Sequence, residues 1–194
     1  MNLLLGRGGF GNVHKGWLKE QRLPKGARNR LIAVKKISGD TQQRYLGFTT
    51  EISLLGKVSH PNIIKPLGFC RENEEKILVY EYMAKGTLGN HLFSKKPDRV
   101  LSWEIRLKIA MEIAEGLSYL HSLEHPVIHK DLKPANILLD KSYTAKISDF
   151  GLAIIAPASS LDHDEYIRED GIAGTYGYMD PFYARNGNFL YLVN

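Results

Sequence analysis

Three glycines near the start of the chain, Gly6, Gly8 and Gly11, stand at the spacing G-x-G-x-x-G. Such a turn lets backbone approach a polyphosphate closely because no Cβ intervenes. A dinucleotide-binding unit has the same spacing, but its last glycine opens a helix, whereas residues 13–17 here continue as a strand pattern. The spacing therefore predicts a β-hairpin that covers phosphates, with an ordinary glycine-rich hairpin as the alternative.

The composition is that of an ordinary soluble chain. Of the 194 residues, 43% are hydrophobic and 24% are charged, close to average globular usage. The net charge is +5 and the basic residues are mixed with 21 acidic ones, so no nucleic-acid partner is expected. No apolar run approaches the ~20 residues that span a bilayer, so no direct membrane insertion is expected. A single cysteine, Cys70, excludes an internal disulfide and favours a reducing compartment.

Strand patterns dominate the first part of the chain and helical patterns the second. The predicted segments are a hairpin with a third strand over 2–37, a helix over 41–58, and strands over 63–70 and 76–82. The pattern changes near 83–86. We therefore expect an α+β chain with units at 1–82 and 83–194.

The strongest helical pattern begins after Ser102, which is a good N-cap. Its apolar residues recur at i, i+3, i+7, i+10 and i+13, namely Leu107, Ala110, Ala114, Leu117 and Leu120. This spacing predicts that the face carrying these residues packs against the rest of the chain. Beyond Pro126, short strands are expected at 137–139 and 145–147.

Two charged residues of the first part could act together. Lys35 follows apolar residues on a predicted strand, where its ammonium could hold two phosphates. Glu51 lies on the predicted helix, and its carboxylate could pair with that ammonium and fix its position. The alternatives are a surface lysine and an exposed helical glutamate.

Four polar residues of the second part suggest phosphoryl transfer. Asp131 could accept or orient the proton of an attacking hydroxyl, and Lys133 could offset charge on the transferred phosphate. Asn136, five residues beyond Asp131, and Asp149 offer oxygen ligands suited to Mg²⁺, which takes few protein carboxylates. Each could be a turn residue alone, but their joint occurrence favours a site.

The order of these segments resembles the signatures of the eukaryotic protein kinase family. The matching segments are the glycine-rich turn at 6–13, Ala33-Val34-Lys35, residues 129–136 and Asp149-Phe150-Gly151. Lys133 and Thr175 resemble the serine/threonine branch of that family. Residues 78–83 and 174–179 resemble those of plant receptor-like and Pelle-type kinases.

The resemblance implies a bilobal kinase fold with ATP in the cleft and Mg²⁺ bridging its phosphates. The smaller lobe would be an antiparallel sheet with one helix, and the second lobe would be mainly helical. The implied activity is transfer of the γ-phosphate of ATP to hydroxyls of a protein substrate. The implied setting is cytoplasmic, with a receptor ectodomain and transmembrane segment in a longer parent chain as a further expectation.

The resemblance also implies a nucleotide site. The loop over the phosphates would comprise Gly6, Arg7, Gly8, Gly9, Phe10, Gly11 and Val13. Adenine would lie between Val13, Ala33 and Leu138. Tyr80 falls at the gatekeeper position, and backbone groups of Glu81 and Met83 would hydrogen-bond the base.

The catalytic residues implied by the resemblance are Lys35, Glu51, Asp131 and Lys133, and the implied metal ligands are Asn136 and Asp149. Lys35 and Glu51 would form the activating ion pair, and Asp131 would be the catalytic base.

Two positions depart from the family pattern. Lys130 stands where the family has Arg. Lysine lacks the bidentate fork with which an arginine would bind a phosphorylated loop. Asp180-Pro181-Phe182 stands in place of Ala-Pro-Glu, so Phe182 cannot form the ion pair of that Glu. Because the chain also stops at Asn194, we expect an incomplete second lobe. The alternative functions are a catalytically silent ATP-binding or regulatory module and a product that does not fold stably alone.

Overall fold

The structure, a computed structural model, describes residues 3–9, 11–18, 30–39, 41–72, 75–96, 100–156, 166–168 and 171–190. Its described helices include none with the length and apolar character needed to cross a bilayer.

A five-stranded antiparallel sheet forms the first part of the chain. Its strands are β1 (Leu4–Gly8), β2 (Gly11–Leu18), β3 (Arg30–Ile37), β4 (Pro66–Glu72) and β5 (Glu75–Glu81). Their order is β1-β2-β3-β5-β4, which confirms the predicted hairpin, third strand and two later strands. β4 begins later than predicted because the backbone N–H of Ile64 donates instead to the carbonyl of Ile147, at 2.9 Å.

One helix, α1 (Gln42–Leu55), lies between β3 and β4 in the chain. The Oγ1 of Thr41 caps its first turn, a role for which threonine is favoured. Phe48, Glu51 and Leu55 are buried on its inner side. The helix therefore confirms the prediction for 41–58 and brings one carboxylate into an apolar layer.

The sheet presents one alternating face to this helix. Lys76, Leu78 and Tyr80 of β5 are buried, and the residues between them are less so. In the antiparallel register Lys35 lies opposite Leu78, and Ala33 lies opposite Tyr80. Since opposed residues share a face, Lys35 and Tyr80 both point toward α1.

The second part of the chain is built from short strands and helices. These are β6 (Gly86–Thr87), α2 (Gly89–Leu92), α3 (Trp103–His121), β7 (Val127–Ile128), β8 (Ile137–Leu139), β9 (Ala145–Ile147) and β10 (Ile154–Ile155). β8 pairs with both β6 and β9. Leu139, Ala145 and Ile147 are fully buried, so this small sheet is the centre of the core beneath the site.

The face of α3 that packs differs from the predicted one. Leu120 is buried as expected, but Leu107, Ala110 and Ala114 are exposed, and Ile109 and Gly116 are buried instead. A Cβ on Gly116 would lie 3.0 Å from the Ile147 side chain and 3.2 Å from the Asn62 carbonyl oxygen. The helix therefore approaches the core through a glycine, which an apolar pattern does not register.

The last two described segments contain a short helix and a strand pair. α4 (Pro181–Asn186) is capped by Asp180, whose Oδ1 accepts the N–H groups of Phe182 and Tyr183 at 2.9 and 3.0 Å. β11 (Tyr166–Arg168) and β12 (Asn188–Leu190) then pair antiparallel. The backbone of 188–190 thus returns alongside that of 166–168.

Candidate active site

An open cleft of about 1400 Å³ lies between the large sheet and the second part of the chain. It is lined by nearly every residue predicted for the site: Gly6, Arg7, Gly8, Gly9, Gly11, Val13, Ala33, Lys35, Glu51, Glu81, Met83, Asp131, Lys133, Asn136, Leu138 and Asp149. The remaining one, Phe10, lies outside the described residues. Residues far apart in the chain therefore meet at one concave surface.

The glycine-rich hairpin forms one wall of this cleft, with Gly8 opposite Gly11. Gly11 has a φ of 141°, and a Cβ there would lie 2.0 Å from the carbonyl oxygen of Lys36. Among the described residues, no atom lies within 4 Å of such a Cβ at Gly6, Gly8 or Gly9. The folded chain therefore requires glycine at 11, whereas the others leave open space beside the backbone.

Replacing Gly11 with alanine is expected to destabilise the chain by roughly 2 kcal/mol or more, because β2 must move away from β3. Gly9→Ala is the matched control, since its methyl group meets open space. Thermal unfolding of both variants in the full-length parent protein measures the difference. Equal melting temperatures for the two variants would contradict the expectation.

Lys35 joins two carboxylates at the back of the cleft. Its Nζ lies 2.7 Å from Glu51 Oε2 and 2.7 Å from Asp149 Oδ1. Burial by itself lowers the pKa of Lys35, but the charges of Glu51 and Asp149 outweigh it and raise the pKa above its usual value. The ammonium is therefore charged at any physiological pH, and the predicted Lys35–Glu51 pair is present.

A second donor on Glu51 was not predicted from the sequence. The Oη of Tyr80 donates to Glu51 Oε1 at 2.5 Å. Burial, followed by the charge of Glu51, raises the pKa of Tyr80 well above 10, so the phenol keeps its proton. The alternation along β5 was the signal that could have placed Tyr80 on the inner face.

The Asp131 carboxylate lies at the centre of a hydrogen-bonded network. Its Oδ2 accepts from Lys133 Nζ at 2.7 Å and from Asn136 Nδ2 at 3.0 Å, and its Oδ1 accepts from the Thr175 hydroxyl at 2.5 Å. Lys133 Nζ also reaches Thr175 Oγ1, at 2.5 Å. Burial tends to raise the pKa of Asp131, but the bonds from Lys133 and Thr175 lower it overall. The result is an ionised carboxylate that accepts a hydrogen bond from a hydroxyl group.

His129 supports this network from below. Its Nδ1 accepts the backbone N–H of Asp131 at 3.2 Å, and its Nε2 lies 2.9 Å from the carbonyl oxygen of Ser148. A carbonyl can only accept, so Nε2 carries the proton and the ring is neutral. The ring also packs edge-on against Phe150, with centroids 4.9 Å apart. His129 thus ties the loop of Asp131 to the segment of Asp149.

Acid is expected to destabilise the chain through His129. Burial lowers its pKa below the ordinary 6.5, so between the two values the unfolded chain binds more protons. The free energy of unfolding then has its full value above pH 6.5. It decreases as the pH drops below 6.5, by up to about 1.4 kcal/mol per pH unit. Melting temperatures of the full-length parent between pH 7.5 and 5 measure this. His129→Gln should flatten the dependence, and an unchanged slope would contradict the assignment.

Asn136 and Asp149 fit the ligand set of a magnesium ion. The Nδ2 of Asn136 donates to the carbonyl of Asp131 at 2.8 Å as well as to its carboxylate. The Oδ1 of Asn136 therefore faces away from Asp131 and is left to bind a cation. Asp149 adopts a left-handed backbone conformation, with φ of 64°, and its carboxylate lines the same cleft. One carboxylate and one amide oxygen, completed by water and phosphate, suit Mg²⁺.

The other end of the cleft is apolar. Val13, Ala33 and Leu138 are half-buried around it. The backbone N–H of Glu81 donates to the carbonyl of Lys65 at 3.4 Å. This wall could accept a flat apolar ring.

The two departures from the family pattern have local roles. Lys130 has a φ of 65°, and its Nζ lies 5.9 Å from the ring centroid of Tyr183. Asp180 caps α4, while Phe182 is 45% exposed on it. Tyr183 is buried, and its hydroxyl accepts the N–H of Ala173 at 2.9 Å. The segment that carries Ala173, just before Thr175, is therefore attached to α4 without a glutamate at 182.

Comparison with known proteins agrees with this geometry. The sequence profile of the family described as protein tyrosine and serine/threonine kinase matches residues 1–185. The chain belongs to this family. The kinase fold predicted from the motifs is thereby confirmed, with the five-stranded sheet as the strand-rich lobe.

Relatives of this kinase chain include plant proteins. The probable serine/threonine-protein kinase PBL10 of Arabidopsis thaliana is 46% identical over 188 residues, covering 95% of this chain and 45% of the relative. The serine/threonine-protein kinase BIK1 of the same plant is 44% identical over 191 residues, covering 95% and 47%. Receptor-like cytoplasmic kinase 176 of Oryza sativa subsp. japonica is 43% identical over 188 residues, also covering 95% and 47%. The kinase chain spans about half the length of these relatives.

Proposed function

We propose that this chain carries the catalytic site of a serine/threonine protein kinase, which transfers the γ-phosphate of ATP to hydroxyls of protein substrates. One observation supports this most directly. The Asp131 carboxylate accepts a hydrogen bond from the hydroxyl of Thr175 at 2.5 Å, and the Lys133 ammonium lies 2.7 Å from the same carboxylate. A carboxylate so placed can take up the proton of an attacking serine or threonine hydroxyl.

The charged and amide side chains predicted for the site each have a part in this proposal. ATP, bound with Mg²⁺, would supply the transferable phosphate. Asp131 orients the substrate hydroxyl and receives its proton, while Lys133 offsets negative charge beside it. Asn136 and Asp149 would hold Mg²⁺, and Lys35 would hold the phosphates that lie nearer the adenine. Glu51 acts through Lys35 and is a positioning residue.

The glycine hairpin and the apolar wall would hold the nucleotide. Open space beside Gly6, Gly8 and Gly9 allows their backbone to approach phosphate oxygens closely. Arg7 and Phe10 belong to the same loop. Adenine would lie between the apolar residues Val13, Ala33 and Leu138, with backbone groups of Glu81 and Met83 at its edge.

The proposed setting follows the relatives. The rice relative is named as a receptor-like cytoplasmic kinase. We infer a cytoplasmic location for the full-length parent, a protein substrate, and a receptor as an upstream partner. The proposed lobes are residues 1–82 and 83–194, which meet at the cleft.

Phosphate transfer by the full-length parent protein tests the function. With γ-labelled ATP and Mg²⁺, label is expected on serine or threonine of the protein itself or of casein, and EDTA should abolish it. Thermal melts with and without MgATP accompany the assay. Stabilisation without transfer would overturn the kinase assignment in favour of a silent nucleotide-binding module, and the absence of both effects would overturn either reading.

A further inference from the structure

We propose that Lys15 is a positioning residue for nucleotide binding: its ammonium holds the ring of Tyr82 and, through it, the segment that would bind the edge of the base. The inference rests on the proposed function, in which the residues on both sides of Tyr82 contact adenine through their backbone.

The side chain of Lys15 crosses the large sheet on the face that looks into the cleft. Lys15 lies opposite Ala33 of β3, and Ala33 lies opposite Tyr80 of β5, so these three residues share a face. Tyr82 stands two residues beyond Tyr80 and continues the same alternation. Because the residue between the two outer strands is a small alanine, the long lysine stem can pass over β3 and reach the ring beyond it.

The ammonium of Lys15 contacts two aromatic rings. Its Nζ lies 5.0 Å from the ring centroid of Tyr82 and 5.9 Å from that of Trp17. Both distances are within the roughly 6 Å over which a cation is attracted to an aromatic face. Trp17 follows Lys15 by two residues on β2 and therefore shares its face. The side chain of Lys15 is thus supported by its own strand while it holds Tyr82.

Lys15 acts on the cleft through the ring of Tyr82. Of these two residues, Tyr82 lines the cleft and Lys15 does not. The neighbours of Tyr82 have attachments of their own: Glu81 Oε1 lies 3.2 Å from Lys146 Nζ, and Met83 is buried. Tyr82 between them is half-buried. The contact with Lys15 therefore adds an attachment in the middle of the three residues that would lie along the base.

The same contact joins this segment to the glycine-rich hairpin. β2 begins at Gly11 and passes Val13 before it reaches Lys15, so the strand that would cover the nucleotide is linked by one side chain to the segment at its edge. Asp131 lies on the second part of the chain, outside this link. Loss of the ammonium should therefore weaken nucleotide binding and leave the transfer step unchanged.

Lys15→Met in the full-length parent protein tests the inference, since the unbranched stem is kept and the charge is lost. We expect the Kd for MgATP, measured by isothermal titration calorimetry, and KM for MgATP to rise roughly threefold to fivefold. In contrast, kcat should stay within about twofold of the parent, the pattern of lost ground-state binding. Lys15→Arg should restore the Kd, because a guanidinium also binds the face of a ring.

Arg71→Met is the matched control. Its guanidinium carbon lies 5.1 Å from the ring centroid of Tyr45, so this variant also loses a contact between a cation and an aromatic ring of the first part of the chain. Neither Arg71 nor Tyr45 lines the cleft. The Kd for MgATP should stay within about 1.5-fold of the parent value.

A double-mutant cycle separates the ring contact from a general attraction between a positive charge and the phosphates. If Lys15 acts through the ring, Lys15→Met should change the Kd less than about 1.5-fold in a Tyr82→Leu background, whereas Tyr82→Phe alone should bind as the parent does. An equal loss in both backgrounds would overturn the inference, as would an unchanged Kd for Lys15→Met.

Failure of the inference is distinguishable from failure of the proposed function. A parent protein that binds MgATP and transfers no phosphate would overturn the kinase function alone, because the comparison of Kd values still decides the role of Lys15. A parent protein that does not bind MgATP would overturn both.

Discussion

Asp131→Asn is expected to lower kcat for phosphate transfer by roughly 10²–10⁴-fold, the usual contribution of a positioned general base. The amide keeps the shape of the side chain but cannot accept the proton of a substrate hydroxyl. KM for MgATP should change little, because Asp131 contacts the Thr175 hydroxyl, Lys133 and Asn136 rather than the apolar wall. Steady-state kinetics on the full-length parent protein measure both constants.

Asp140→Asn is the control for this substitution. Asp140 also accepts two N–H groups, those of Ser142 and Thr144 at 2.7 and 2.9 Å, but it lies in the turn between β8 and β9. It should leave kcat within twofold of the parent. Asp131→Asn activity above a tenth of the parent value would remove Asp131 from the role of base.

Lys35→Met is expected to abolish transfer and to destabilise the chain by about 3–5 kcal/mol, as removal of one partner of a buried ion pair does. Two carboxylates would face one another without the ammonium that both contact at 2.7 Å. Partial exposure of Asp149, 29% at its side chain, favours the lower end of that range. Urea unfolding of the full-length parent and a transfer assay measure the two effects.

Lys36→Met, one residue along β3, provides the comparison. Lys36 pairs with Glu75 at 2.7 Å, but both side chains are about half exposed, at 50% and 45%, so the loss should be below ~1 kcal/mol. Adding Glu51→Gln to Lys35→Met should restore part of the stability and none of the activity. Equal destabilisation by the two lysine substitutions would show that burial of the pair contributes nothing.

The motif residues and the sheet were predictable because their patterns are local. Strand alternation and glycine spacing gave β1 to β3, and the polar residues at 131, 133 and 136 were close enough in the chain to be expected in one loop. The pairing of Lys35 with Glu51 could be proposed from the sequence, because the spacing of apolar residues assigned Lys35 to a strand and Glu51 to a helix.

The contacts that were not predicted depend on packing between elements. Tyr80 could be assigned to a face of β5, but which residue of α1 it meets is decided by how the helix lies on the sheet. The buried face of α3 was misassigned because Gly116, which has no side chain, packs directly against Ile147 and Asn62. The bond between Thr175 and Asp131 joins residues 44 positions apart, beyond the reach of any periodicity.

The register of β3 against β5 limits how this site can change. Lys35 and Tyr80 share one face because Lys35 opposes Leu78 and Ala33 opposes Tyr80. Successive side chains alternate between faces, so inserting or deleting one residue between the site and a strand end turns one of the two outward. Related sequences are therefore expected to differ in these strands by substitutions at constant length. Insertions and deletions are expected in the connecting loops.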